Sequence, residues 1–426
     1  MSKRRIIRIL IMGLTMMTLS MVAVVQAQTG ATCEAVVSQS LTDLATNCAN
    51  LSRNETCLGH EEVTHTAFAS TVPEDFYTQA GDRADLLDVE SIQTAPFDLA
   101  EENLGLNVMN VAANLPHALS QKGVIFLQFG GVEVENGVEP ESALQLVNGI
   151  SLTTTAGTDL LTWPPPSVDG HSSETILAVP AGATVSIDAI DPTQRYGRAV
   201  YQSRVGWVSL AALNATGVDL NGLPAIGADS FTPMQNFYLR TGIGGTPCAD
   251  APSLLFVQSP SNVTVDLQVF DEPIRIGSAI VLRTVPPGDQ LGNSLEIVTL
   301  SGLAVLYPDT DHEVIVPPGH KSIIPLCDPF LSLGIEGDEE EKAGCGNWSS
   351  PVPLTADELD ELQLIENIPN NITSTTVIIP VLVPCSGSSG CESQLFFPDQ
   401  TALNAAIAAC QANELPDSIC QYLGIS

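Results

Sequence analysis

Two short stretches combine histidine and carboxylate residues of the kind that bind metal ions. The first is HEEVTH, which runs from His60 to His65. A zinc-protease helix needs its two histidines at positions i and i+4, so that both lie on one face. His60 and His65 are one residue further apart than that, and we therefore expect a polar loop here.

The second stretch places carboxylates at alternate positions, at Asp309, Asp311 and Glu313. Oxygen ligands in a loop suit calcium, but the turn glycine and the distal glutamate of an EF-hand loop are missing. The sequence predicts at most a weak calcium site here and no other cofactor. A hydrated hairpin tip is the alternative interpretation.

The sequence has no recognisable nucleophile. There is no G-x-S-x-G elbow, and the six histidines stand in no catalytic pattern. The 49 acidic residues offer many carboxylate pairs, but such pairs have no specificity for glycoside hydrolysis. We therefore name no catalytic residue and expect a non-enzymatic protein. An extracellular hydrolase with dispersed catalytic residues is the alternative.

Four aromatic residues in the middle of the chain are candidates for ligand binding: Trp163, Tyr196, Tyr201 and Trp207. Aromatic rings present flat apolar surface to a peptide or a sugar at low entropic cost. Packing inside a hydrophobic core is the alternative for each of them. The sequence predicts a groove that these rings line.

The ten cysteines predict disulfide bonds. They are Cys33, Cys48, Cys57, Cys248, Cys327, Cys345, Cys385, Cys391, Cys410 and Cys420. An even number of cysteines in an exported chain is typical of disulfides, and the absence of a C-x-x-C pair argues against structural zinc. Cys248 has no near neighbour, so a long-range bridge to one of the three N-terminal cysteines would make the counts even.

The first 27 residues have the form of a signal peptide. Basic residues precede an apolar run, Ile9 to Val25, and small residues precede the predicted cleavage after Ala27. A retained membrane anchor is the alternative. The formal net charge of −34 argues against nucleic-acid binding. We expect a secreted or envelope-associated protein with no membrane span after cleavage.

Hydrophobic periodicity predicts a mainly β chain with short helices at both ends. The predicted helices are 34–50, 354–366, 401–411 and 416–422, and the clearest predicted strands lie in 104–112, 123–133, 263–326 and 375–383. Between two alternating runs, Pro180-Ala181-Gly182 predicts a hairpin turn, because proline fixes φ and glycine accepts a positive φ.

The segment around this turn resembles the bacterial Src-homology-3-like (SH3-like) domain. The resemblance is carried by Pro180 to Val185, Tyr196 to Val200 and Gly206 to Val208, although Tyr196 stands where the family has tryptophan. The resemblance implies a small barrel that binds a cell-wall or extracellular peptide or glycan.

Two further resemblances concern the flanking segments. Leu295 to Val305 and Val314 to Pro325 resemble the FecR-type domain of ferric-citrate sensor-regulators, which implies an exported β structure that makes protein contacts or serves as a rigid spacer. The whole arrangement resembles a group of exported multidomain bacterial proteins of uncharacterised function, through these residues: Cys33, Cys48, Arg53-Asn54, Cys57 to Gly59 and Val124 to Gly130.

The sequence therefore predicts a multidomain, mainly β protein: an SH3-like barrel, a second β-sandwich or solenoid-like domain, and short helices. The predicted boundaries are a signal peptide at 1–27, a disulfide-tied α+β domain at 28–140, the barrel at 150–226, the FecR-like domain at 227–330, an acidic linker and helix at 331–372, and a cysteine-stapled region at 373–426. We expect a binding or scaffold protein whose partner is an extracellular polymer or an envelope protein. A FecR-type sensor-regulator is a further alternative.

Overall fold

The structure is a computed structural model, and it describes most of the chain between residues 32 and 397. The described ranges are 32–60, 63–68, 77–119, 122–165, 173–244, 248, 251–261, 263–277, 279–285, 294–326, 346–373, 375–377, 379–383 and 395–397. From Cys33 onward the chain groups into one compact unit. The predicted signal peptide, the acidic run 337–341 and the two C-terminal helices lie outside the described residues.

The first segment begins with a helix and continues as strands. Its elements are α1 (Cys33–Asn47), β1 (Glu55–Leu58), β2 (Val63–Ala67), β3 (Arg83–Asp85), β4 (Val89–Thr94), β5 (Leu106–Val111), β6 (Val124–Phe129) and β7 (Val132–Asn136). The predicted N-terminal helix is confirmed, because Val37, Leu41 and Leu44 recur at helical spacing and are buried. Every residue of β6 is buried, as its continuous apolar text VIFLQF requires.

The second segment forms a separate sheet, here called the inserted sheet. Its strands are β8 (Ile150–Thr154), β9 (Thr158–Leu161), β10 (Thr175–Val179), β11 (Thr184–Ile190), β12 (Tyr196–Tyr201), β13 (Arg204–Ser209) and β14 (Leu213–Asn214), with a 3-10 helix at Leu210–Ala212. They pair in the order β10-β9-β13-β12-β11-β8-β14. Val185, Ile187 and Val208 belong to a hydrophobic cluster within this segment.

The third segment returns to the strands of the first. Its strands are β15 (Asn236–Thr241), β16 (Leu254–Gln258), β17 (Val265–Val269), β18 (Glu272–Ile276), β19 (Ala279–Val285), β20 (Ser294–Ser301), β21 (Ala304–Leu306), β22 (Val314–Val316), β23 (His320–Pro325), β24 (Val352–Pro353), β25 (Val381–Val383) and β26 (Leu395–Phe397). The predicted helix near residue 354 is confirmed as α2 (Ala356–Leu362), followed by a 3-10 helix at Gln363–Asn367.

The first and third segments interleave their strands in two large sheets. The first large sheet has the order β24-β23-β20-β19-β16-β6-β5-β1-β3, and the second has the order β2-β4-β7-β15-β17-β18-β21-β22. The mainly β prediction is confirmed. The segments expected as separate domains, 28–140 and 227–330, instead share both sheets, since β6 pairs with β16 and β7 pairs with β15.

One hydrophobic core joins the two large sheets. The ring of Phe126, on β6, meets the ring of Phe237, on β15, edge to face with centroids 5.0 Å apart. Both side chains are fully buried. Burying a large apolar side chain stabilises a fold by roughly 1.5–3 kcal/mol, so this shared core is a strong reason for the two segments to fold together.

The predicted hairpin at Pro180-Ala181-Gly182 is wrong. Gly182 has the positive φ that was expected, +81°, but β10 pairs with β9, whereas β11 pairs with β8 and β12. The Thr154 hydroxyl donates to the Pro180 carbonyl over 2.7 Å and so ties the turn to β8. Proline and glycine mark a change of chain direction, but they do not decide which strand the next one joins.

Two of the predicted disulfides lie within the described residues. Cys33 bonds to Cys248, and Cys48 bonds to Cys57. The long-range bridge from Cys248 to the N-terminal cysteines is therefore confirmed. The other six cysteines, from Cys327 to Cys420, lie outside the described residues. Among the residues that the structure does describe, no helix is long and apolar enough to cross a membrane.

An ionic cluster attaches α2 to the first large sheet. Glu296, only 2% exposed, accepts ion pairs from Arg283 and Lys321, the second over 3.1 Å. The same two cations reach α2, where Lys321 pairs with Glu358 and Arg283 pairs with Glu361 over 3.2 Å. Each cation thus bridges the buried carboxylate and the helix.

Acid is expected to weaken this attachment through Glu358. Burial raises the pKa of Glu358, but hydrogen bonds from Lys321 and Thr355 outweigh burial and hold the pKa below its usual value of 4.5. A carboxylate with a lowered folded-state pKa stabilises the fold above its unfolded pKa, and this stabilisation is lost as the pH falls through the folded-state pKa.

Thermal unfolding of the wild type and of Glu358→Gln, from neutral pH to about pH 3, measures this contribution. We expect the wild type to be the more stable at neutral pH by at most about 1 kcal/mol, because the pair is partly solvated, and the difference to vanish in acid. Asp360→Asn is the matched control, since Asp360 lies exposed on the same helix and accepts from Gln363. A difference that persists at the acid end would contradict the prediction.

Candidate ligand-binding cleft

A cleft of about 600 Å³ lies between the inserted sheet and the rest of the molecule. One wall comes from the inserted sheet and contains Trp163, Arg198, Arg204 and Trp207. The other walls come from the loop between β5 and β6, from residues 226–235, and from the strands β17 and β18 with the turn after β21. This is a concave site of the size that binds small molecules or a short stretch of polymer.

Strand pairing between β12 and β13 decides which side chains reach the cleft. Arg198 lies directly opposite Trp207, and Val200 lies directly opposite Val205. Side chains alternate along a strand, so these residues share one face while Ala199 and Val208 share the other. Ala199 and Val208 belong to the cluster within the inserted sheet, whereas Arg198 and Trp207 line the cleft.

Gly206 is required at its position beside Trp207. A Cβ atom there would lie 2.6 Å from the carbonyl oxygen of Leu161 and 2.7 Å from the Leu160 side chain. Since β13 pairs with β9 at Trp207 and Leu161, only glycine at the neighbouring position 206 allows this close approach. Gly206 therefore allows β13 to lie close to β9, and this pairing holds Trp207 in the wall of the cleft.

The two tryptophans of the cleft contact each other. Their ring centroids are 5.9 Å apart with an interplanar angle of 64°, an edge-to-face pair. Trp207 is 3% exposed and packs with Leu144, Ala189 and Ile226, so it serves as core. Trp163 is half-buried.

The two predicted tyrosines do not line the cleft. Tyr196 is half-buried and packs against the same small cluster as Trp207. Tyr201 packs against the other cluster, on the opposite face of the inserted sheet. The structure therefore brings Trp163 and Trp207 together, packs Tyr196 against the cluster that contains Trp207, and places Tyr201 against the other cluster.

A buried ion pair, which the sequence analysis missed, supports the cleft wall. Arg198 donates to both carboxylate oxygens of Asp188, over 2.9 Å and 2.7 Å, and both side chains are nearly inaccessible to solvent. Its third nitrogen donates to the Asn114 carbonyl over 2.7 Å. Arg53 also donates to this β5–β6 loop, at the carbonyl oxygens of Leu115 and Pro116. The bond from Arg198 to Asn114 joins the inserted sheet to the first segment, and the Arg53 bonds hold the loop within that segment.

A second arginine, Arg275, forms ion pairs in the wall of the cleft that β17 and β18 provide. Arg275 pairs with Asp266 over 2.7 Å and with Asp309 over 2.9 Å. Burial lowers the pKa of Arg275, but the hydrogen bonds and charges of the two carboxylates outweigh burial and raise it. The guanidinium of Arg275 therefore stays charged, and it forms an ion pair with each of the two carboxylates.

The predicted calcium ligands are arranged differently from a metal site. Asp309 directs its carboxylate to Arg275, and its backbone N–H donates to Glu313 over 3.2 Å. Asp311 is exposed in the same turn. Across the described ranges, no three histidine, cysteine, aspartate or glutamate side chains are grouped so that they could hold a metal ion. A guanidinium thus occupies the place that a cation would take beside Asp309.

The two histidines of HEEVTH also lie in separate surroundings. His60, just after β1, lies 3.4 Å from the Asp43 carboxylate. His65, on β2, meets the ring of Tyr77 with centroids 5.9 Å apart. Burial lowers the pKa of His65, so its neutral form is favoured.

Comparison with models of protein families, with curated proteins and with solved structures finds no match to this chain. The SH3-like and FecR-like resemblances therefore stay predictions.

Proposed function

We propose that this protein is an exported, non-enzymatic binding or scaffold protein that holds an extended extracellular peptide or glycan in the cleft. The observation that carries the proposal is a cavity of about 600 Å³ whose wall contains the edge-to-face pair of Trp163 and Trp207. A supported aromatic ring in a concave site offers a rigid apolar surface to one face of a polymer.

The disulfides support the exported location in this proposal. Cys33–Cys248 and Cys48–Cys57 join cysteines that would stay reduced in a reducing cytosol. The predicted signal peptide agrees with the same compartment. A cell-wall polymer, or a protein of the cell envelope, is the partner that this location and cleft fit best.

Trp163→Ala is the variant that tests the proposal. We expect it to weaken retention on purified cell wall by at least about tenfold, because a central aromatic contact of this kind accounts for a large share of binding energy. Separate assays with glycan strands and with stem peptides from the same wall identify the component that binds. Mostly apolar contact predicts weak dependence on salt.

Tyr238→Ala is the matched control for Trp163→Ala. Tyr238 is also half-buried and forms an edge-to-face pair, with Phe270 at 5.7 Å, but it does not line the cleft. We expect this variant to bind normally. If both variants bind as well as the wild type, the cleft is not the binding site.

A further inference from the structure

Asparagine is followed by glycine three times in the sequence, at Asn136-Gly137, Asn148-Gly149 and Asn221-Gly222. Asparagine is a chemically labile residue. The backbone nitrogen of a following glycine can attack its side-chain carbonyl carbon, because glycine has no Cβ to hinder a close approach. Each pair is therefore a candidate for spontaneous deamidation, which converts the side-chain amide into a carboxylate. The structure surrounds the three pairs differently.

The first pair is locked inside the protein. Asn136 is buried, its Oδ1 accepts from two backbone N–H groups, and its Nδ2 donates to two backbone carbonyls, over 2.9–3.3 Å. The Gly137 N–H donates to the Asn236 carbonyl over 2.9 Å. Attack by the Gly137 nitrogen would break buried hydrogen bonds, which are costly to leave unmade.

The second pair has an exposed asparagine, Asn148, but the backbone on both sides of it is held in place. Val147 packs against the hydrophobic cluster within the inserted sheet, and Ile150 begins β8 and pairs with β11. A Cβ at Gly149 would lie 2.2 Å from the Ser186 hydroxyl oxygen, so β11 lies directly against this backbone. Turning the Gly149 nitrogen toward the asparagine side chain would displace the start of β8.

The third pair lies in an exposed turn. Asn221 and Gly222 are the two central residues of this turn, which the Leu223 N–H closes by donating to the Leu220 carbonyl over 3.1 Å. A Cβ at Gly222 would meet no atom within 4 Å, so the backbone has room to move. Among the described residues, the Gly222 N–H finds no acceptor. The Asn221 side chain makes one exposed hydrogen bond, from its Nδ2 to Asp219 over 3.0 Å.

We infer that Asn221 is a site of spontaneous deamidation in the folded protein, and that it reacts well before Asn148 and Asn136. The Gly222 nitrogen gives up its proton to the solvent and forms a bond to the Asn221 side-chain carbonyl carbon. The bond from that carbon to Nδ2 breaks, and Nδ2 leaves as ammonia. Water then opens the resulting succinimide ring at one of its two carbonyls, which yields aspartate or isoaspartate. Water is the only co-reactant.

The modification would change a segment that leads to the cleft. Either product places a carboxylate beside Asp219, where the amide of the unmodified residue donates, and the two like charges repel. Isoaspartate also lengthens the backbone of the turn by the side-chain methylene. The turn is followed by Pro224 and Ile226, whose backbones each bond to Ile190 of the inserted sheet over 2.9 Å. Ile226 lines the cleft.

Incubation of the folded, oxidised protein in mildly alkaline buffer made with heavy-oxygen water tests the inference. Alkaline pH speeds the reaction, because the attacking nitrogen must lose its proton. Heavy oxygen enters the new carboxylate from the solvent, so peptide mapping after digestion in ordinary water separates earlier conversion from conversion during digestion. We expect the peptide that contains Asn221 to convert at least about tenfold faster than the one that contains Asn148, a modest difference in barrier height. The peptide that contains Asn136 should stay intact.

The reduced, denatured protein is the control for the role of the fold. There we expect the three peptides to convert at similar rates, because each contains the same reacting pair. If Asn221 stays intact in the folded protein but converts in the denatured one, the inference is refuted. It is equally refuted if Asn148 or Asn136 converts as fast as Asn221 in the folded protein.

Gly222→Ala is the variant that tests the route. The φ of Gly222 lies outside the positive range that side chains avoid, and the new Cβ meets no atom, so the fold is expected to stay the same. The methyl group hinders the attack, and we expect conversion of Asn221 to slow by about tenfold while Asn148 keeps its rate. An unchanged rate at Asn221 would refute attack by the neighbouring nitrogen.

Discussion

Replacing Arg198 with methionine is expected to lower the free energy of unfolding by about 3–5 kcal/mol. The substitution leaves the Asp188 carboxylate, 3% exposed, without the guanidinium that donates to both of its oxygens. It also removes the bond to the Asn114 carbonyl, which ties the inserted sheet to the β5–β6 loop. An uncompensated buried charge costs far more than a lost surface pair.

Chemical denaturation followed by tryptophan fluorescence measures this effect, since Trp163 and Trp207, two of the three tryptophans, lie in the inserted segment. Combining Arg198→Met with Asp188→Leu is expected to recover much of the loss, because no buried charge remains. Arg240→Met is the surface control: Arg240 is 62% exposed in its pair with Glu133, so we expect a loss below about 1 kcal/mol. Equal losses in Arg198→Met and Arg240→Met would refute a special role for the buried pair.

Local features of this fold are predictable from the sequence because they depend on neighbouring residues. Hydrophobic spacing predicts α1, and the apolar text VIFLQF predicts β6. The odd position of Cys248 predicts its long-range bridge. Each of these signals needs only a local pattern or a count.

Strand pairing is less predictable, because alternation shows which face is buried but not which strand lies alongside. Leu127 pairs with Phe256, more than a hundred residues later, and nothing in either strand specifies the other. The turn after Val179 is the clearest example. Its proline and glycine correctly predict that the chain changes direction. The expected pairing of β10 with β11 does not form, because β10 pairs with β9 and β11 pairs with β8.

The candidate site shows the same limit. Trp163 and Trp207 were found by residue type, but their separation from Tyr201 depends on which face of the inserted sheet each ring occupies. Asp188 and Arg198 carried a detectable signal, since each is the one charged residue of its strand. That signal predicts a buried ion pair once the two strands are recognised as neighbours.

Removing the Cys33–Cys248 bridge is expected to destabilise the protein more than removing Cys48–Cys57. The two bridges close loops with sequence separations of 215 and 9 residues. Chain-entropy arguments give a contribution of about 5 kcal/mol for the longer loop and about 2.5 kcal/mol for the shorter one. The longer loop contains the whole inserted sheet, so its bridge restricts far more of the unfolded chain.

Cys33→Ala with Cys248→Ala, compared with Cys48→Ala with Cys57→Ala, tests this order by chemical denaturation under oxidising conditions. Alanine avoids placing a new hydroxyl at Cys48, Cys57 and Cys248, which are buried. The other six cysteines remain in both variants, which makes each double variant the control for the other. Hydrogen exchange of α1 gives a second measure, because Cys33 lies at its first position. A larger loss in the variant without Cys48–Cys57 would show that packing around that buried bridge outweighs the constraint on the unfolded chain.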